Sequence, residues 1–424
     1  MTPQSFPRLE ILAPAGDLEK LETAILYGAD AVYLGGPDLS LRAAASGFDR
    51  LGLEEALALA HAAGVRVYYC LNVLARPREL VGVEARLEEI SDLALDGLIV
   101  ADLGVARLAR RRLPDLALHA STQANTMNVE AARAWADLGA RRVNLARELS
   151  GRDILGIGRE IQRLGPGLEL EIFAHGAMCL ALSGQCLLSV YLNGRSANRG
   201  ACTHPCRFEY REMGLVLEEK LRPGEDLWEL QDSEESAEFS KLLAREDLCL
   251  LPYLPFLARA GVRAAKIEGR TKSSAYLCQV LDVYASAVRR PETRGPGLSV
   301  FLEELSNSAT RPLSTGFFLP QRKILARPPQ RKRPVLGRVL RALGDGAWQV
   351  QVKATWQALS SVDILVPGLR RPRLIPGQYG LEGTDGHALT VAHPGAVIVL
   401  RGPSSDLGPD VAPGLAPGLF LRQA

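Results

Sequence analysis

The stretch LEILAPAGDLEKLETAILYGADAVYLGG, residues 9–36, reads in turn as strand, helix and strand. Leu9–Ala15 and Ala31–Gly36 are short, almost wholly apolar runs, the composition of a strand buried on both faces. Between them LEKLETAILYGAD places apolar residues at i, i+3, i+4 and i+7, one face of a helix. Gly28 then supplies a left-handed stop before the next strand. Such a unit builds a pair of parallel strands, and it recurs. Further candidate strands are Arg66–Leu74, Gly97–Asp102, Ala117–Ala124, Arg142–Arg147, Leu168–His175 and Ala264–Gly269. The helical run LEEALALAHAAGV and the stops at Gly64 and Gly139 repeat the pattern. Eight units over about 290 residues predict a (β/α)8 TIM-like barrel rather than an open doubly wound sheet.

One interval breaks the regularity. Between His175 and Ala264 the chain carries an insertion of residues 176–263, beginning at the strand end where barrel active sites are built. Beyond residue 295 the composition turns to Gly, Pro and short alternating runs such as AWQVQVKAT, VDILVPG and GAVIVLRG, which predict a small all-β barrel. The expected organisation is a barrel domain over 1–295, a basic linker over 296–334 and a β-domain over 335–424. Within residues 321–341, QRKILARPPQRKRPVLGRVLR holds eight Lys/Arg and no acid. That run reads either as a solvated linker or as a patch contacting nucleic-acid phosphates.

The chain of 424 residues is 47% hydrophobic and 23% charged, with a formal net charge of +2. These are the proportions of a globular protein with ample core and no need of disulfides. The first residues, MTPQSFPRLEILAPAG, lack the basic and apolar regions of a secretory leader. No run is apolar enough to span a bilayer. A reducing, cytoplasmic location is therefore expected, and with it metal-bound rather than paired thiols.

Four of the seven cysteines, Cys179, Cys186, Cys202 and Cys206, fall in the insertion, spaced C-x6-C, fifteen residues, then C-x3-C. Zinc sites favour two tight C-x2-4-C knuckles, and only the second pair qualifies. An iron–sulfur cluster accepts looser spacing because its ligands reach separate corners. The residues alone leave iron–sulfur, zinc and no metal open. Cys249 is a rival fourth ligand or a buried structural thiol; Cys70 and Cys278 read as core.

The stretch from Glu171 to Ser189, E-x-F-x2-G-A-M-C-x4-G-x-C-x-L-S, resembles the signature of the peptidase U32 family, the collagenase-like proteases. Residues 9–36, the segment HASTQANTMN and the segment KIEGRTKSSAY resemble the same family, so the likeness spans essentially the whole chain. It implies a TIM-like barrel carrying a four-iron–four-sulfur (4Fe-4S) cluster, in enzymes that hydroxylate without oxygen. Members acting on RNA use prephenate as the hydroxyl source. A barrel plus one β-domain is most similar to the branch that forms 5-hydroxyuridine at the tRNA wobble position. Other branches act on 23S rRNA or on ubiquinone precursors, and the family name implies a peptidase. Carried onto this chain, the cluster ligands are Cys179, Cys186, Cys202 and, where members differ, Cys206. The resemblance also implies tRNA as partner, held by the β-domain and residues 321–341, with no membrane.

For a peptidase the chain offers neither HExxH nor G-x-S-x-G. A Cys179–His175 dyad is conceivable on spacing, but Cys179 serves better as a cluster ligand. Polar residues at strand ends are the candidate substrate groups. The catalytic candidates are Glu171, His175, Lys266 and Glu268. Those for substrate binding are Asn72, Gln123, Arg147 and Arg270, with Asn125 and Glu148 beside them. Interior residues such as Glu171 and Lys266 could equally pair with each other inside the barrel. Extended alternation puts Lys266, Glu268 and Arg270 on one face. Charges there are costly unless paired or bound to an anion. Arg270, Arg147 and Lys266 are accordingly candidate clamps for the two carboxylates of prephenate.

Overall fold

The computed structural model describes residues 8–40, 47–163, 165, 167–179, 181–208, 216–218, 226–229, 246–289, 296–344, 346–402 and 414–424. The opening stretch forms β1 (Glu10–Pro14), α1 (Leu18–Leu26) and β2 (Ala31–Leu34). Every residue of both strands is buried. The Asp17 side chain caps α1 by accepting the Lys20 N–H, satisfying an orphan donor of the first turn.

The unit repeats as α2 (Arg50–Ala62), β3 (Arg66–Cys70), α3 (Leu80–Glu89), β4 (Gly97–Val100) and α4 (Leu103–Arg112). It continues through β5 (Leu118–Ala120), α5 (Val129–Asp137), β6 (Ala140–Asn144), α6 (Gly151–Arg163) and β7 (Glu169–Ala177). The insertion carries the short helix α7 (Leu188–Asn193), the antiparallel pair β8 (Val216–Glu218) and β9 (Asp226–Glu229), and then β10 (Asp247–Cys249). The frame resumes with α8 (Leu254–Arg259), β11 (Val262–Ile267) and α9 (Ser274–Arg289), followed by α10 (Pro296–Ser308). Strands β1 to β7 pair in sequence, and β11 lies parallel to both β7 and β1, closing an eight-stranded parallel barrel.

Period-2 alternation sorts the strand residues. Leu12, Ala31, Tyr33, Tyr68, Cys70 and Ile99 cluster across the lumen. Ile11, Ala13, Val32, Leu34, Val67 and Val100 pack outward into the core shared with the helices. Several strands end earlier than predicted. Past Cys70 and Ala120 the chain turns into βα loops, where Ser121 accepts the Gln123 N–H and begins a 3-10 turn. β7 instead runs past His175 to Ala177, because β10 pairs antiparallel with its outer end, Asp247 opposite Ala177 and Cys249 opposite His175.

After β12 (Leu313–Ser314) and β13 (Ile324–Ala326), the C-terminal region folds as an antiparallel half-barrel. Its central strands are β14 (Val335–Gly344), β15 (Ala347–Val352), β16 (Val397–Arg401) and β17 (Phe420–Gln423). This sheet docks on the barrel's outer helices. Leu365 and Phe420 join the barrel core, and the Tyr27 hydroxyl donates to the Leu365 carbonyl at 2.6 Å. Buried Arg422 donates to Glu304 of α10 at 2.6 Å, and Arg371 to Asp282 of α9 at 2.8 Å. No helix among the described residues is long and apolar enough to cross a membrane.

Candidate active site at the barrel mouth

The lumen is built in two layers. At the strand starts, Arg142 donates to Glu10 at 2.7 and 3.1 Å and through Nε to Glu169 at 2.9 Å. Arg66 pairs with the same Glu10, and the Arg142 guanidinium lies over the Tyr68 ring. Above this floor Glu171 accepts from Lys266 at 3.0 Å and from Asn144 at 2.8 Å. Lys266 also stands 4.4 Å from the centroid of the Tyr33 ring. The pairing of Glu171 with Lys266 inside the barrel is thus realised.

At the opposite, C-terminal end lies a small cavity of about 60 Å3. The structure brings Asn72, Gln123, Arg147, Lys266, Glu268 and Arg270 together around it. Glu171 and His175 are not on its wall. Glu171 sits one layer deeper, and His175 packs between Tyr276 and Tyr284, its Nδ1 3.3 Å from the Tyr284 hydroxyl. Burial, with Lys272 adding to it, lowers the His175 pKa to about 3, so the imidazole is neutral. Sequence reasoning missed Tyr33, Ser121, Thr122, Asn144 and Phe173 on the wall. The inward alternation on β2, β6 and β7 was the signal that could have found them.

Arg270 is 3% exposed, yet among the described residues its terminal nitrogens reach only the Ser40 hydroxyl, at 3.5 Å, and its Nε has no partner. Gln123 Oε1 and Asn144 Oδ1 are likewise buried without one. Buried polar groups are normally satisfied, so the mouth is shaped for polar atoms it does not itself supply.

The cysteine segment closes over this mouth. Glu148, after β6, accepts from both the backbone N–H and the hydroxyl of Ser183, the latter at 2.7 Å. Gln185 donates to the Gln123 carbonyl at 2.8 Å, and Arg147 to the Ala177 carbonyl at 3.2 Å. Gly184 has φ +81°, and a Cβ there would stand 2.4 Å from Gln123 Nε2, so glycine is required for this approach. Further out, Glu79 holds Arg199 in an ion pair that draws the carboxyl down to about 2.

The other three clustered cysteines act on Cys206. Burial first, then Cys179, raises the Cys206 thiol above its ordinary range; Arg207 opposes the shift, and Cys202 and Cys186 add to it. The His204 N–H donates to Cys202 Sγ at 3.3 Å, and the Cys186 N–H to Asn198 at 3.0 Å. Among the described residues no three His, Cys, Asp or Glu side chains gather as around a single ion. Cys249 stands apart, fully buried in the β10 ladder with its thiol 3.7 Å from Tyr284 and pushed up to about 11 by burial.

A charged group around Lys272 also escaped the sequence reading. Lys272 is held below its ordinary value by burial, with Arg311 and Arg207 acting the same way and Asp247 and Glu268 opposing them. These residues come from four separate stretches of chain, so no local pattern announces them.

The profile of peptidase family U32 matches residues 16–327. A tRNA hydroxylation protein P of Escherichia coli is 34% identical over 342 residues, covering 73% of this chain and 74% of its own. A 23S rRNA 5-hydroxycytidine synthase of the same organism is 35% identical over 283 residues, covering 66% of this chain and 39% of its own. A collagenase of Porphyromonas gingivalis is 30% identical over 327 residues, covering 74% of each. With the profile spanning most of the barrel and relatives this similar over most of their length, the chain belongs to peptidase family U32.

Proposed function

We propose that this chain is an iron–sulfur enzyme that hydroxylates RNA, forming 5-hydroxyuridine at the wobble position of tRNA with prephenate as the hydroxyl source. The observation that carries the reading is that one segment, bearing the four thiols Cys179, Cys186, Cys202 and Cys206, is hydrogen-bonded through Gln185 over a cationic barrel mouth. The likeness to a tRNA hydroxylation protein and to an rRNA hydroxycytidine synthase supports an RNA base as substrate.

The donor set fits a 4Fe-4S cluster. Cys179, Cys186, Cys202 and Cys206 are four thiols of one segment, and thiolates are the ligands that hold such clusters. When bound, such a cluster supplies electron transfer or substrate activation. The N–H donated to Cys202 would stabilise thiolate charge.

The remaining work belongs to the protein's own side chains. Arg270 and Arg147 hold the carboxylates of prephenate; Arg270 has the most donor capacity to spare, whereas Lys266 is already engaged by Glu171. Gln123 and Asn144 offer buried amides to the edge of a pyrimidine. Glu171 fixes Asn144 and Lys266 in place. At about 60 Å3 the mouth holds roughly two waters. A base is admitted only when the Leu182–Gln185 turn lifts from Gln123. An anticodon loop presents such a base unstacked.

A peptidase mechanism has less support. His175 is enclosed by two tyrosines and turned to Tyr284, not to Cys179, and its low pKa makes it a poor general base.

Anaerobically purified protein should be brown, with iron and sulfide bound. Cys206→Ala should lose that colour and Cys249→Ala should keep it. Nucleosides of tRNA from a deletion strain should lack 5-hydroxyuridine-type modifications. Colourless, zinc-bearing protein would overturn the cluster, and unchanged tRNA would overturn the substrate.

A further inference from the structure

A cavity far larger than the mouth lies outside the barrel, where the loop after β1, the start of α9, the end of α10, the basic linker and the end of β15 meet. It encloses about 780 Å3, against about 60 Å3 at the mouth. Small-molecule and cofactor sites occupy roughly 300–1,000 Å3. We infer that this junction groove binds a nucleotide of the RNA strand next to the target base, an inference that rests on the RNA-hydroxylase reading.

Three features of the groove point to a nucleotide. Its charge is uneven. Lys20 and Lys353 are neutralised by Asp17 and Glu19. Lys332 and Arg333, by contrast, form no ion pair among the described residues and remain free for a phosphate. Pro328, Pro329 and Ala309 give it an apolar wall suited to a base or ribose face. It also abuts the mouth. Lys20 on its wall donates to the carbonyl of Arg270 at 3.3 Å, and Tyr276 donates to the carbonyl of Glu268 at 3.2 Å. Arg270 and Glu268 line the mouth, so hydrogen bonds join the linings of the two cavities. A strand whose target base is unstacked into the barrel therefore passes over the groove with its neighbour.

The test is the affinity of full-length protein for an anticodon stem-loop RNA, measured by fluorescence anisotropy over a salt series. Ala309→Trp fills the groove, and Lys332→Glu with Arg333→Glu reverses its free charges. Each should weaken binding by roughly tenfold, and the charge reversal should lower the salt slope by ~0.7 for each phosphate that is no longer neutralised. Arg107→Glu with Arg159→Glu makes the same charge change on the exposed faces of α4 and α6, away from the groove and the basic linker, and should have a much smaller effect. The surface charge-reversal pair keeps the test decisive if the Trp variant misfolds. Groove variants that bind like the unaltered protein, or that weaken binding no more than the control pair does, would overturn the inference alone. Failure of the unaltered protein to bind RNA would overturn it together with the RNA-hydroxylase reading.

Discussion

The two ends of the barrel interior solve opposite problems. At the floor, Glu10, Arg142, Glu169 and Arg66 answer one another's charges. At the mouth, Arg270, Gln123 and Asn144 keep buried polar atoms unanswered by the protein. Both layers use residues of the same kinds at similar depth, so burial alone does not tell them apart. What separates them is completeness: the saturated end stabilises the fold, and the unsaturated end has capacity for a ligand. This matches the general division of labour between the two faces of such barrels.

Breaking the floor should be felt as stability. Arg142→Met takes from Glu10 its buried partner and leaves it only the half-exposed Arg66, an expected cost of about 3 kcal/mol. Urea unfolding should show it, and loss of activity should follow only from loss of folded protein. At the mouth the balance reverses. Arg270→Ala should leave the urea midpoint nearly unchanged and lower single-turnover hydroxylation by roughly a hundredfold, about 2.7 kcal/mol. If Arg270→Ala unfolded the protein as Arg142→Met does, the contrast between the layers would collapse.

Acid offers a third, smaller probe. Unfolded histidine takes its proton near 6.5, whereas folded His175 does so only near 3. Below pH 6.5 the unfolded chain therefore binds more protons, so the stability present above that value is lost as pH falls towards 3. At pH 5 the loss from His175 should be about 2 kcal/mol. His119, also depressed chiefly by burial, acts in the same direction. A His175→Asn variant should show a shallower fall between pH 7 and 5; an unchanged fall would mean that His175 is not held neutral. The smallest effect concerns the seal. Ser183→Ala removes one hydrogen bond to Glu148, worth ~1 kcal/mol, and should quicken hydrogen exchange in the Leu182–Gln185 turn without moving the global midpoint.

The barrel was legible because each strand is buried on both faces and each helix on one, so burial writes a period into the local sequence. Of the polar residues that surround the mouth, Lys266 was legible from alternation, whereas Glu268 and Arg270 lie past the end of β11 at Ile267 and reach the same cavity from the turn that follows. Other features depend on partners distant in sequence. Arg142 reaches Glu10 across 132 positions, and β10 is only Asp247–Cys249, too short for any period. Its effect is nevertheless large, since it lengthens β7 and separates Cys249 from the other thiols. Lys272, Arg207 and Arg311 are ordinary surface residues by pattern and become neighbours only through the fold.

The pairing of Asp247 with Ala177 has a consequence for how the chain can change. Everything between these two residues departs from and returns to one rung of a ladder. The closure cost of such an excursion grows only logarithmically, ~0.6 kcal/mol for each doubling of its length. Residues 178–246 therefore constitute a cassette whose length the barrel scarcely registers. The scaffold can exchange this cysteine-bearing part, lengthen it or lose it while the eight-stranded frame stays in register, and a chain with a short turn joining Ala177 to Asp247 should still close the barrel.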